Sequence, residues 1–307
     1  MSFQMKSAAA IAAVLALYSG AFAARAYEAF PTASLTSLRS LPVSTGTSHT
    51  SSNGPEAVLY SAGGFESFAT GNLSGQNGFG GATVATRFTV GATSGVGGTQ
   101  GVTAVAGGTG SVTDWVWPDV VYTPAAGEVV SVNFDIARTV AATAAASSTV
   151  YAIDIFDGVS GARLTRLGLS RNSSTNAIGV SVVAPFNTTT SQFDPTVTTN
   201  FNVTIASGLT ASTFYNLEPR LNFATKKVDI YSNNALFVGN IPFAYSTSSQ
   251  TNFGDADISV STGTTTATGA DAGFFDNYVV STIAIPEPTT LGLLAGVGLV
   301  ALRRKSR

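Results

Sequence analysis

The chain has 307 residues, a formal net charge of −2, no cysteine, one histidine and only 10% charged side chains. The missing cysteine excludes disulfides and Cys-based zinc sites, and the lone His49 makes a Ser-His-Asp triad untenable, because that base needs a rigid, oriented setting. Uncharged polar residues do the work that charge does in a typical cytosolic domain, where about 25% of residues are charged.

In chain order, Lys6 supplies a positive n-region and Ala8 to Leu17 an apolar h-region. Ala21-Phe22-Ala23 or Ala24-Arg25-Ala26 then offers small residues for cleavage. This order predicts a signal peptide over residues 1–26, removed by signal peptidase. Residues 27–56 are rich in Ser, Thr and Pro, with no sustained period of 2 or 3.6, and read as a flexible leader that holds His49.

From Ala57 the pattern becomes short runs of β-branched and aromatic residues punctuated by Gly, Asn and Pro, such as EVVSVNFDI, TVYAIDIF, RLTRLGL and KKVDIYS. These predict an antiparallel, all-β domain over residues 57–285, of the sandwich or jelly-roll kind. In SVNFDI, Val132, Phe134 and Ile136 fall on one face and Ser131, Asn133 and Asp135 on the other, which reads as a half-buried strand. Asn233-Asn234, between KVDIYS and ALFVG, predicts a tight hairpin turn. The Ala-rich stretch from Ala137 to Ala146 is the one helical candidate in the body. Gly91 to Gly110 lacks the GK[ST] ending and the following helix of a phosphate loop, and reads as a long loop or weak edge strands.

Candidate chemistry in the body is sparse. Trp115 and Trp117 project to the same face of a strand, with Tyr122 beyond Pro118. Such a face is either a core layer or a sugar-stacking platform. Core carries more weight, since Val116 does not look like a buried alternative, and Trp115, Trp117 and Tyr122 form the candidate carbohydrate-binding set. Asp154 and Asp157, in the run Asp-Ile-Phe-Asp, read as flanking a strand-end turn. Asp255, Asp257 and Asp271 lie on turn-like segments and form a second oxygen-rich group open to calcium.

The chain ends with Pro286-Glu287-Pro288, an apolar run from Leu291 to Leu302, and the basic residues Arg303, Arg304, Lys305 and Arg307. Twelve helical residues reach about 18 Å, while a bilayer core of about 30 Å takes about 20 residues, so residues 286–307 would hold a membrane only transiently. Six of the 15 basic residues and one of the 17 acidic ones lie in the two ends, leaving a body of formal charge −7. Such a surface repels nucleic acid and suits cations or neutral glycans.

The order Pro-Glu-Pro, apolar run, basic cluster resembles the PEP-CTERM sorting signal. The resemblance implies a Gram-negative host, an exosortase as processing partner, a transient stay at the inner membrane, and delivery to the cell surface or an extracellular polysaccharide matrix. In the body, Phe65-Glu66-Ser67-Phe68, Gly71 to Phe79 and Phe275-Asp276-Asn277-Tyr278-Val279-Val280 resemble parts of a concanavalin A-like, laminin-G-like sandwich. So does Arg220 to Val238, although Asn234 stands where that pattern has glycine. This likeness implies a jelly roll, flanked here by an N-terminal signal helix and a short C-terminal hydrophobic helix. It also implies paired first and last strands, which would bring Glu66 to Asp276 as a structural calcium site. The expectation is a non-enzymatic, lectin-like exported protein associated with exopolysaccharide. A self-assembling surface component is the alternative, and a glycan-active enzyme working through two carboxylates ranks third.

Overall fold

A computed structural model describes residues 40–44 and 56–285, apart from 107–111, 140–148, 173–174, 176, 245–249 and 263–270. These residues fall within one compact unit, Pro31–Ile285. The signal peptide, His49, the sorting tail and both expected terminal helices lie outside the described residues, and so does most of the Ala-rich candidate helix.

The strands are β1 (Glu56–Gly63), β2 (Gly71–Asn72), β3 (Phe79–Gly80), β4 (Phe88–Gly91), β5 (Gly101–Val105), β6 (Val112–Pro118), β7 (Glu128–Arg138), β8 (Val150–Asp157) and β9 (Arg163–Arg171). They continue with β10 (Ile178–Asn187), β11 (Gln192–Phe193), β12 (Asn200–Leu209), β13 (Tyr215–Asn222), β14 (Lys227–Ser232), β15 (Ala235–Pro242), β16 (Phe253–Thr262) and β17 (Ala272–Ala284). All paired strands run antiparallel. A nine-stranded sheet has the order β15-β14-β13-β7-β17-β5-β4-β2, with β1 also beside β17. An eight-stranded sheet has the order β11-β10-β9-β8-β16-β6-β3, with β12 also beside β10. The antiparallel β-sandwich expected from the strand pattern is therefore present. Among the described residues no helix is long and apolar enough to cross a membrane.

Alternation of side chains along each strand builds the core. Val130, Val132, Phe134, Ile136 and Val280 face inward from the nine-stranded sheet. Ile153, Ile155, Leu167, Val180, Val182, Ile258 and Val260 meet them from the eight-stranded one. Each such residue contributes about 1.5–3 kcal/mol by leaving water. The Asn233-Asn234 hairpin forms as expected, with Ser232 opposite Ala235 and φ of 46° and 62° at the two asparagines.

Three expectations need correction. β7 is buried on both faces: Ser131, Asn133 and Asp135 are at most 3% exposed. Their cover is polar: Glu218 accepts from Ser131 (2.6 Å), while Asp135 accepts from Asn277 (2.7 Å) and Ser44 (2.8 Å). The leader is ordered at residues 40–44, where Leu41 is buried and the Ser44 N–H donates to the Phe214 carbonyl. The Gly-rich interval contributes β5, an internal strand between β17 and β4, because its Val102 and Ala104 reach the core.

At one end of the sandwich, Arg138 and Asp271 form an ion pair with both side chains 0% exposed and a closest approach of 2.6 Å. Arg138 also donates to the Thr149 carbonyl, and the Tyr151 hydroxyl donates to the Asp271 carbonyl, both at 2.7 Å. Asp271→Ala leaves a buried guanidinium unpaired, and is expected to lower unfolding free energy by about 3–5 kcal/mol in a urea titration.

Candidate functional site

The outward positions of the eight-stranded sheet hold the molecule's unusual chemistry. In β16, Ala256, Ile258 and Val260 point into the core, which sends Asp255, Asp257 and Ser259 to the outer face. Strand register then aligns one row across the sheet: Asn202 of β12, Val183 of β10, Arg166 of β9, Asp154 of β8 and Asp257 of β16. Ile258 pairs with Val116, so Trp117 of β6 continues that row. A parallel row runs Thr204, Ser181, Gly168, Ala152, Ser259 and Trp115. Six strands at about 4.8 Å spacing make each row about 24 Å long.

Val116, 0% exposed, is the buried member of its strand, and Trp115 is 37% exposed on the outer face. The weight given to a Trp core layer is therefore corrected: alternation gives the inner position to Val116. Trp117 is half-buried under the loop after β3, where a Cβ on Gly81 would lie 1.9 Å from the indole. The positive φ of Gly81, +102°, and this contact both require glycine. Tyr122 is not part of the Trp face. Its ring packs against the core and its hydroxyl donates to Glu128 at 2.7 Å.

Asp154 and Asp157, read together as turn residues, have separate roles. Asp157 does hold a turn, accepting from the Ser160 N–H and hydroxyl at 2.7 Å. Asp154 is central in β8, where Arg166 grips both carboxylate oxygens at 2.8–3.0 Å and Arg163 adds a contact at 3.2 Å. Asp255 and Asp257 have no arginine and hydrogen-bond to each other instead. Burial is the main force raising both carboxyls, and the negative charge of Asp255 and then of Asp154 adds to it at Asp257, which reaches about 9. Each has one buried oxygen, Oδ1, that accepts no hydrogen bond. Asp271 does not join them, being committed to Arg138. Asp255 and Asp257 were expected on turn-like segments and instead lie within β16, where the alternation in ADISV, a signal the turn reading passed over, puts both on one face. Nothing in the sequence indicated which strand would lie opposite.

Glu66 and Asp276 approach closely enough for the charge of Glu66 to act on Asp276. Asp276 Oδ2 accepts from the Val96 N–H (2.7 Å) and Thr99 (3.3 Å), and Oδ1 from the Asn277 N–H (2.8 Å). Burial, outweighing these bonds, lifts its carboxyl to about 6. Calcium takes about 6–8 oxygen ligands. Among the described residues no group of three or more acidic or histidine side chains is placed to hold a metal.

The model of the PEP-CTERM protein-sorting motif matches residues 284–307. No curated protein matches the sequence. Among solved structures, the body is similar to alginate lyase Aly36B, at 11% identity and a TM-score of 0.45, covering 76% of this chain and 98% of that one. It is also similar to the PL7 alginate lyase AlyA1 from Zobellia galactanivorans, at 10% identity and a TM-score of 0.41, covering 64% and 80%. A sialidase is similar at 12% identity and a TM-score of 0.44, covering 75% of this chain and 19% of that one. No substrate is taken from these likenesses. They do correct the expectation of a non-enzymatic, lectin-like or self-assembling body, since the similar structures are lyases and a sialidase.

Asp257 carries a stability consequence. Its folded pKa, about 9, lies above the unfolded value of about 3.9, so its protonation adds stability that is complete below about pH 4 and is lost as pH rises toward 9. The charged or titratable groups facing it are Asp255, Asp154 with Arg163 and Arg166, and Tyr278. Asp257→Asn, neutral at every pH, is expected to raise the melting temperature at pH 8 by at least about 2 °C relative to its effect at pH 4, by scanning calorimetry.

Proposed function

We propose, from a chain that carries a PEP-CTERM protein-sorting motif, that its body is a glycan-active protein working on extracellular polysaccharide. The motif indicates export from a Gram-negative cell with transient membrane anchoring, and implies processing by an exosortase. Our reading adds delivery to the cell surface or matrix, and takes the body as a concanavalin A-like sandwich whose outer eight-stranded face meets the glycan.

One observation carries the reading: Asp257, only 2% exposed and holding its proton past neutral pH, stands in the same row as Trp117 and opposite the ionic Asp154–Arg166 pair. A carboxylic acid that stays protonated in neutral water can give its proton to a glycosidic oxygen as the bond to the leaving sugar breaks, while a water adds to the anomeric carbon and gives up its own proton to a carboxylate or to solvent. Asp154, fixed by two arginines, supplies a carboxylate across the strand pair. Directly opposed residues place Cβ atoms about 4.5–5.5 Å apart, comparable to the separation of about 5–5.5 Å between the two carboxyl groups of retaining glycosidases. Trp115 offers an exposed aromatic face for a neighbouring sugar.

The test is release of reducing ends by the full chain from the host's own exopolysaccharide and from defined glycans. Asp257→Asn is expected to lower kcat by about 100-fold or more, while a sugar titration followed by tryptophan fluorescence stays unchanged. Trp115→Ala should raise KM with kcat little altered. Wild-type activity is expected to fall above about pH 9, as Asp257 loses its proton. Failure of the wild type to cleave any glycan, or full activity in Asp257→Asn, would sink the proposal.

A further inference from the structure

At the far side of the eight-stranded sheet from Trp115, the pairing of β10 with β12 is irregular. Register shifts fall between Ile178 and Gly179 and again between Val180 and Ser181. Irregularities of this kind bend a strand and re-aim its side chains. A Cβ on Gly179 would stand 2.5 Å from the Ala206 carbonyl oxygen, so glycine is what lets β12 approach so closely here. Ser170 of β9 lies directly opposite Gly179 on the other side. Lined from these strands is a hollow of about 440 Å³, within the range of about 300–1,000 Å³ usual for sites that hold a small molecule.

The lining has a definite chemistry. Ser170, Asn202, Thr204 and Ser207 give it hydroxyls and amides, Arg171 is its one charged residue, and no carboxylate belongs to it among the described residues. Arg171 is only 5% exposed, and a guanidinium keeps its charge at every working pH. Water screens a cation in such a place only in part, so an anion that enters the hollow gains more from it than from an arginine on open surface. Ser181, the register partner of Thr204, is 0% exposed, and its hydroxyl has no hydrogen-bond partner among the described residues. The protein thus leaves a buried polar group unmet beside the hollow, at a cost in stability.

We propose that this hollow is a binding subsite for an acidic sugar. The carboxylate or sulfate of one pyranose meets Arg171, and its ring hydroxyls, each both donor and acceptor, bond to Ser170, Asn202, Thr204 and Ser207. The subsite stands on its own geometry, while its place in a glycan rests on the proposed reading of this face. The row from Thr204 to Trp115 crosses six strands, so hollow and Trp115 are about 24 Å apart and the acidic unit lies several sugars from the bond that is cut. At the Trp115 end both arginines, Arg163 and Arg166, are paired with Asp154. A neutral ring needs no cation there, whereas an acidic one would find each of them engaged. The substrate class that fits both ends is a polysaccharide of mostly neutral sugars carrying acidic units at intervals.

The full chain in mild detergent is titrated at pH 7 with glucuronate, glucose 6-sulfate, glucose and inorganic sulfate, and binding is followed by ligand-observed NMR. At least one acidic sugar is expected to bind about tenfold or more tighter than glucose and than inorganic sulfate, and the tighter of the two names the acid. Arg171→Gln should abolish that margin. Arg171 is buried, so a second variant serves where the first fails to fold: Thr204→Phe, at an exposed position, fills the hollow and should remove binding with the melting temperature little changed. Equal affinity for glucose and the acidic sugars, binding of inorganic sulfate as tight as theirs, or an acid preference that survives in either folded variant overturns the subsite and leaves the cleavage reading standing. An intact acid preference in a chain that cleaves no glycan supports the subsite and sinks the cleavage reading alone.

Discussion

Strand β17 is the constraint on which the rest of the structure depends. Its 13 residues pair with β7 along one side and with β5 and β1 along the other, so one segment near the end of the body closes the nine-stranded sheet. Tyr278, fully buried in that strand, donates its hydroxyl to the Ala256 carbonyl of β16 at 2.6 Å. This bond joins the two sheets at the residue between Asp255 and Asp257. The position of the acidic pair is therefore set from the opposite sheet, through a tyrosine that burial keeps un-ionised.

The two outer faces resolve burial in different ways. On the nine-stranded sheet, Glu218 and Arg220 form a nearly solvent-free pair at 2.6 Å, the Arg220 guanidinium lies 3.8 Å from the centre of the Tyr231 ring, and Asp135 is surrounded by donors. Those polar groups are satisfied within the protein and act as structure. On the eight-stranded sheet the ionic pair, Asp154 with Arg166, lies directly beside Asp255 and Asp257, which bond to each other and leave one buried oxygen each without a partner. Burying a carboxyl that must keep its proton costs stability, and that cost fits a surface shaped for something outside the chain.

Strand content was legible because side-chain alternation is a local property. SVNFDI, KKVDIYS and the Asn233-Asn234 turn all appear where they were read. The errors concern what lies across from a strand. Ser131, Asn133 and Asp135 look solvent-facing in sequence, yet β13 and the leader bring polar partners that bury them. Trp115 looks like a core residue until Val116 is seen filling the core. Asp154 looks like a turn residue until β9 places Arg166 opposite it at a separation of 12 residues.

From the sequence alone came the C-terminal sorting motif, the acidic cysteine-free body, its all-β character and the common side of Trp115 and Trp117. These depend on composition, order and a period of two, which neighbouring residues determine. The partnership of Asp257 with Asp154, the unneutralised state of Asp255, and the packing of Gly81 on Trp117 were decided by tertiary structure. Each depends on the register between strands far apart in the chain. Register is set by the collective packing of the core, with a one-residue slip exchanging the two faces of a strand.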